Sequence, residues 1–171
     1  MATTSGTGTD PNEFVIVREL DAPRELVFKA WTQAERLAQW WGPAGFTLDV
    51  LELDLRAGGI FHYGMRAPDG YEMWGKFSYR DVAPPERIVS ILCFADRDGK
   101  PVRHPMSPTW PLETLNTMTL TGQDGKTTLT LRSTPFNASE LEQKTFRDGH
   151  LSMTQGFGAT FDQLDAYLAR A

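Results

Sequence analysis

The sequence predicts an α+β fold: a curved, seven-stranded antiparallel sheet wrapped around one long C-terminal helix, with two short helices after the first strand. Three observations predict it. Period-2 alternation recurs in separate short segments. From residue 46 onward the connections are mostly short and rich in turn formers, which favours antiparallel neighbours over crossovers. An apolar stripe at helical spacing fills the end of the chain. At 171 residues the chain suits one continuous core, with residues 1–12 expected as a disordered tail and 13–171 as a single domain.

The first strand is expected at Phe14–Leu20, where Val15, Val17, Arg18, Glu19 and Leu20 mix apolar and charged positions. Asp21 precedes Ala22-Pro23, and an early proline fixes φ for a helix in which Leu26, Val27, Ala30 and Trp31 recur at helical spacing. A second helix spans 34–41 and stops at Gly42-Pro43, because proline cannot continue the turn. Six strands follow, at 46–55, 59–66, 71–82, 87–95, 113–121 and 127–134. Pro68-Asp69-Gly70, Pro84-Pro85-Glu86, Arg97-Asp98-Gly99-Lys100 and Gln123-Asp124-Gly125-Lys126 supply the turns. Residues 96–112 form a loop too long for a turn, and its four prolines, His104, Met106 and Trp110 make it apolar enough to cover something. Asn137-Ala138-Ser139-Glu140 opens the last helix, whose stripe is His150, Met153, Phe157, Thr160, Phe161, Leu164 and Leu168.

Composition excludes several classes of function. Hydrophobic residues at 40% and charged residues at 23% form a globular balance. The apolar runs fall short of the ~20 residues that span a membrane. A net charge of −5 with scattered basic residues argues against nucleic acid. Cys93, the single cysteine, sits in an apolar run and reads as a buried inert thiol. His62, His104 and His150 are dispersed and match no metal spacing, so neither a metal nor a cofactor is expected. The first residues have neither the basic start nor the apolar stretch of a secretory signal, which points to the cytoplasm.

Strand parity selects the inward side chains. Phe61, Tyr63 and Met65 share one face against His62 and Arg66. Phe77 and Tyr79 face inward, with Trp74 exposed or at a rim. Leu92 and Phe94 oppose Ile91 and Cys93, Met118 and Leu120 oppose Thr117 and Thr119, and Leu129 and Leu131 oppose Thr128, Thr130 and Arg132. The alternation slips near Val50, leaving Asp49, Glu52 and Asp54 as edge charges. Gly58-Gly59 permits a tight approach to a strand, and Gly156, inside a helix, implies a strand or ligand close by. A sheet closed over one helix leaves room for a cavity, and aromatic and methionine side chains suit its walls. The expected ligand contacts are Trp40, Trp41, Phe61, Tyr63, Met65, Phe77, Tyr79, Met118, His150, Met153 and Phe157.

The motifs Leu55-Arg56-Ala57-Gly58-Gly59-Ile60-Phe61, Met65-Arg66-Ala67-Pro68-Asp69-Gly70, Val82-Ala83-Pro84-Pro85-Glu86-Arg87-Ile88-Val89 and Gln155-Gly156-Phe157 are similar to those of the activator of heat-shock-protein-90 ATPase homologue family. The resemblance runs from about Phe14 to Leu168 and includes Trp40-Trp41-Gly42-Pro43. It implies the helix-grip fold of the START-like, Bet v-type superfamily (SRPBCC). Similar domains include co-chaperone modules, polyketide cyclase-like enzymes and lipid carriers, so the fold alone does not choose a function. The leading expectation is non-catalytic binding of a small hydrophobic or aromatic molecule. A cyclase- or hydrolase-type enzyme using His150 or an inward carboxylate is the second. A chaperone-regulating interaction module is the third. The tryptophan-rich second helix and the proline-rich loop leave a homodimer open.

Overall fold

The computed structural model describes residues 10–171 and the backbone of residues 3–7. The strands are β1 (Thr3–Thr7), β2 (Phe14–Leu20), β3 (Thr47–Leu53), β4 (Ile60–Arg66), β5 (Glu72–Ala83), β6 (Arg87–Ala95), β7 (Pro101–Val102), β8 (Glu113–Gln123) and β9 (Lys126–Phe136). The helices are α1 (Arg24–Thr32), α2 (Ala34–Trp40), α3 (Glu140–Asp148) and α4 (His150–Arg170). The strands build one antiparallel sheet in the order β1-β2-β9-β8-β6-β5-β4-β3, with β7 pairing the end of β6. All seven expected strands are present.

Two segments differ from expectation, at the N-terminus and in the long loop. Thr3–Thr7 pairs antiparallel with β2 where the sequence predicts a disordered tail over residues 1–12, because β2 offers an unfilled edge and a threonine-rich stretch suits a strand. Residues 1, 2, 8 and 9 lie outside the described residues. Within 96–112, the pair Pro101–Val102 adds a short strand beside Phe94 and Ala95.

The C-terminal helix is two helices. Ser139 caps α3 through a reciprocal box: Glu142 N–H donates to the Ser139 hydroxyl at 3.1 Å, and Ser139 N–H donates to the Glu142 carboxylate at 2.9 Å. Gly149 ends α3 and starts α4. A Cβ there would come within 2.7 Å of the Trp110 ring, so the break lets the long loop close against the helices. Gly156 plays no such part. It is exposed, and a Cβ added there would meet no atom within 4 Å, so nothing approaches it.

Parity holds across the sheet. Phe61, Tyr63, Phe77, Tyr79, Met118, Leu120, Leu129 and Leu131 are buried in one core with Phe161 and Leu164 of α4. The slip near Val50 is a bulge, with the β3–β4 register shifting between Val50 and Glu52. Gly59 is required for packing: a methyl there would collide with the Asp54 carbonyl. His62 lies on the outer face, yet only 6% of it is exposed. The turn after β6 covers it, and its Nε2 sits 3.1 Å from the Asp96 carbonyl oxygen. Arg18 faces α4 from β2, 5% exposed, and bonds Asp162, Asp165 at 2.7 Å and the Gly158 carbonyl at 3.3 Å. No helix among the described residues is long and apolar enough to cross a membrane.

Candidate functional site

Between the sheet and α4 lies a cavity of about 190 Å³. Tyr63 and Met65 of β4, Leu92 and Phe94 of β6, and Met153 and Phe157 of α4 form its walls, and Trp110, Pro111 and Leu112 of the long loop border it. Each wall follows from local structure. Inward parity delivers the strand residues, while Met153 and Phe157, four apart, share one face of the helix. Gly75 makes room for Tyr63, since a methyl there would overlap the phenol hydroxyl. Trp74 crosses Gly64 on the neighbouring strand and stands at the rim.

A second chamber of about 20 Å³ lies deeper, lined by Trp31, Trp41, Phe61, Phe77, Tyr79, Ile88, Ser90, Asn116, Met118 and other apolar groups. Asn116 borders both chambers. Among the described residues, no Asp, Glu, Lys, Arg or His lines either one. The ionisable walls are Tyr63, Tyr79 and Cys93, and burial pushes all three above their ordinary values, so they stay neutral at physiological pH.

Polar groups nevertheless cross this face in a single row. Register pairs Ser133 of β9 with Asn116 of β8, Asn116 with Ser90 of β6, and Ser90 with Tyr79 of β5. Ser90, Asn116 and Ser133 are each at most 5% exposed. Asn116 Nδ2 donates to Thr114 Oγ1 at 3.0 Å and to the Thr114 carbonyl at 3.3 Å, which fixes which end of the amide is the donor.

The loop between β6 and β8 is tied to α3. Arg103 bonds Glu142, the same residue that completes the helix cap, and also the Trp110 carbonyl at 3.4 Å. The Thr145 and Thr109 hydroxyls are hydrogen-bonded at 2.9 Å, with Thr109 donating because the Thr145 proton goes to the Leu141 carbonyl at 3.0 Å. Trp110 packs on Phe146 with ring centres 5.3 Å apart, and His104 packs edge-on against Phe94 at 4.8 Å. The Ser139 amide and the Arg103 guanidinium hold the Glu142 carboxyl below the usual carboxylate range.

The expected contact residues divide between the two chambers. Tyr63, Met65, Met153 and Phe157 line the larger, and Trp41, Phe61, Phe77, Tyr79 and Met118 line the smaller. Two stand outside both. Trp40, at the end of α2, is buried against α1, donating its indole N–H to the Ala30 carbonyl at 2.9 Å. His150 wedges between Phe14 at 5.5 Å and Phe146 at 5.3 Å, because the helix break turns the start of α4 toward β2 and α3. Thr114, Asn116 and Ser133 line the site without standing out in the sequence. Their signal is parity itself, since 114, 116, 118 and 120 of β8 and 129, 131 and 133 of β9 share the inner face of the sheet.

Residues 21–169 match the family described as Activator of Hsp90 ATPase homolog 1-like protein. Among solved structures, protein Ms6760 from Mycobacterium smegmatis is 27% identical, with a TM-score of 0.79 over 98% of this chain and 97% of that one. A protein from Arthrobacter aurescens is 26% identical, with a TM-score of 0.82 over 98% and 92%. One from Rhodobacter sphaeroides, at 20% identity and a TM-score of 0.77 over 99% and 100%, shares the fold. No curated protein matches the chain.

Proposed function

The chain belongs to the Activator of Hsp90 ATPase homolog 1-like protein family, and from that premise we propose that it binds a small hydrophobic or aromatic molecule between the sheet and α4, without turning it over. The observation that carries this reading is the cavity of about 190 Å³ walled by Tyr63, Met65, Trp110, Met153 and Phe157. Its size supports a compact ligand, since an apolar cavity of about 150 Å³ holds benzene. Burying apolar ligand surface against these walls supplies roughly 25 cal/mol per Å².

Binding without turnover is favoured by walls that, among the described residues, carry no acid or base titrating near neutrality. His150, the group best placed by sequence to move a proton, packs against Phe14 and Phe146 instead. A proton-transfer mechanism needs its group within hydrogen-bond reach of the substrate.

A thermal-shift screen of small aromatic compounds tests the proposal. At a concentration about 100-fold above Kd, a true ligand raises the melting temperature by about 5–10 °C. Leu92→Trp, which fills the larger chamber, should abolish the shift measured against the variant's own baseline. A shift that survives that substitution would place binding elsewhere and end the reading.

A further inference from the structure

We propose that the cavity selects a neutral, single-ring aromatic molecule bearing a hydroxyl or N–H donor, and that Asn116 is the specificity-determining residue that accepts its hydrogen bond. This rests on the binding function proposed above and adds the chemistry of the ligand. Orientation, charge and size each support it.

Orientation comes first. A backbone carbonyl only accepts, so the Asn116 atom bonded to the Thr114 carbonyl is Nδ2. Its second bond, to Thr114 Oγ1, holds the amide in place. The Oδ1 acceptor is left for the space that Asn116 borders, and among the described residues no group donates to it. A ligand donor satisfies it and a ligand acceptor does not.

Charge narrows the choice. Among the described residues no ionic side chain lines either chamber, so an anionic or cationic ligand would give up its hydration with no counter-charge. Tyr63 and Cys93, neutral through burial, add none.

Size and position complete the fit. The larger chamber takes one substituted ring with Phe157, Met153 and Leu92 about it, and Asn116 lies where the small chamber begins.

Isothermal titration of the full chain with 4-ethylphenol, 4-ethylanisole, ethylbenzene and 4-ethylbenzoate tests the inference. The phenol and the anisole differ in the donor proton and one methyl group. On the unsubstituted protein, 4-ethylphenol should bind about tenfold or more tightly than 4-ethylanisole and ethylbenzene, the cost of leaving a buried acceptor unmet, and 4-ethylbenzoate should show no heat. Asn116→Leu should bring 4-ethylphenol to the level that ethylbenzene shows on the same variant, removing the preference for the donor. Neutral probes that bind without preference for the donor, or a preference that survives Asn116→Leu, would overturn the role of Asn116 and leave the cavity as a binding site. Failure of all three neutral probes to bind would overturn the binding function itself.

Discussion

His104 in the covering loop is a residue whose protonation opposes its packing. Its Nδ1 accepts from the Met106 amide at 3.0 Å, and its ring lies against Phe94 and Trp110. Burial lowers its pKa from the ordinary 6.5. The folded chain therefore takes up this proton at lower pH than the unfolded chain, so the stabilisation is complete above 6.5 and is lost as pH falls below it. Burial, and then Arg147, pushes His150 the same way. The urea midpoint should fall as pH drops from neutral to about 5, and His104→Gln should remove part of that slope while leaving the part due to His150. At this scale parity makes most inward side chains legible from sequence. It does not reveal the row of Ser133, Asn116 and Ser90, because their meeting depends on the register among three strands, which the alternation within each strand does not fix.

Two glycines of the C-terminal helices make opposite predictions. Gly149→Ala puts a methyl 2.7 Å from a Trp110 ring that is held by Phe146 and the loop, and overpacking of this kind costs about 1–3 kcal/mol. Gly156→Ala meets open space on an exposed helical face and should stabilise by up to about 1 kcal/mol. Chemical unfolding of the two variants checks both signs. The sequence presents these glycines alike, as weak points in a helical pattern. Only the packed loop distinguishes them, which is why the pattern reads as one continuous helix where α3 and α4 in fact meet at Gly149 beneath Trp110. Strand limits are legible to within a few residues, since alternation and turn formers are local; the pairing of Thr3–Thr7 with β2 is not, because it answers an open edge rather than a pattern of its own.

Across the whole molecule, Arg18 joins the first long strand to the last helix. Its partners Asp162 and Asp165 are 71% and 22% exposed while the guanidinium side chain is 6% exposed, so the arginine is the buried member of the cluster. Arg18→Ala removes the charge and its aliphatic packing and leaves two carboxylates near each other, which should cost about 2 kcal/mol or more. Asp162→Asn should cost less, since that carboxylate is largely hydrated. Equilibrium unfolding of the pair decides the ranking. The order of elements is enough to anticipate a sheet closed over a helix; this tie is hidden in it, because a charged residue in a strand reads as a solvent-facing position until the helix above it is placed.

The neighbours of β2 carry a consequence for synthesis. Phe14 pairs with Ser133 and Leu20 with Thr127, more than a hundred positions later along the chain, whereas β4, β5 and β6 each pair with the strand next in order. During translation the central hairpins have their partners almost as soon as they leave the ribosome, while β2 waits through most of the polypeptide for β9 and α4. Closing that long loop is entropically the costliest step of assembly. The pocket is complete only when β9 lies beside β8 and α4 covers both, so a nascent chain stalled before Thr127 holds the walls from β4, β5 and β6 and lacks Ser133, Met153 and Phe157.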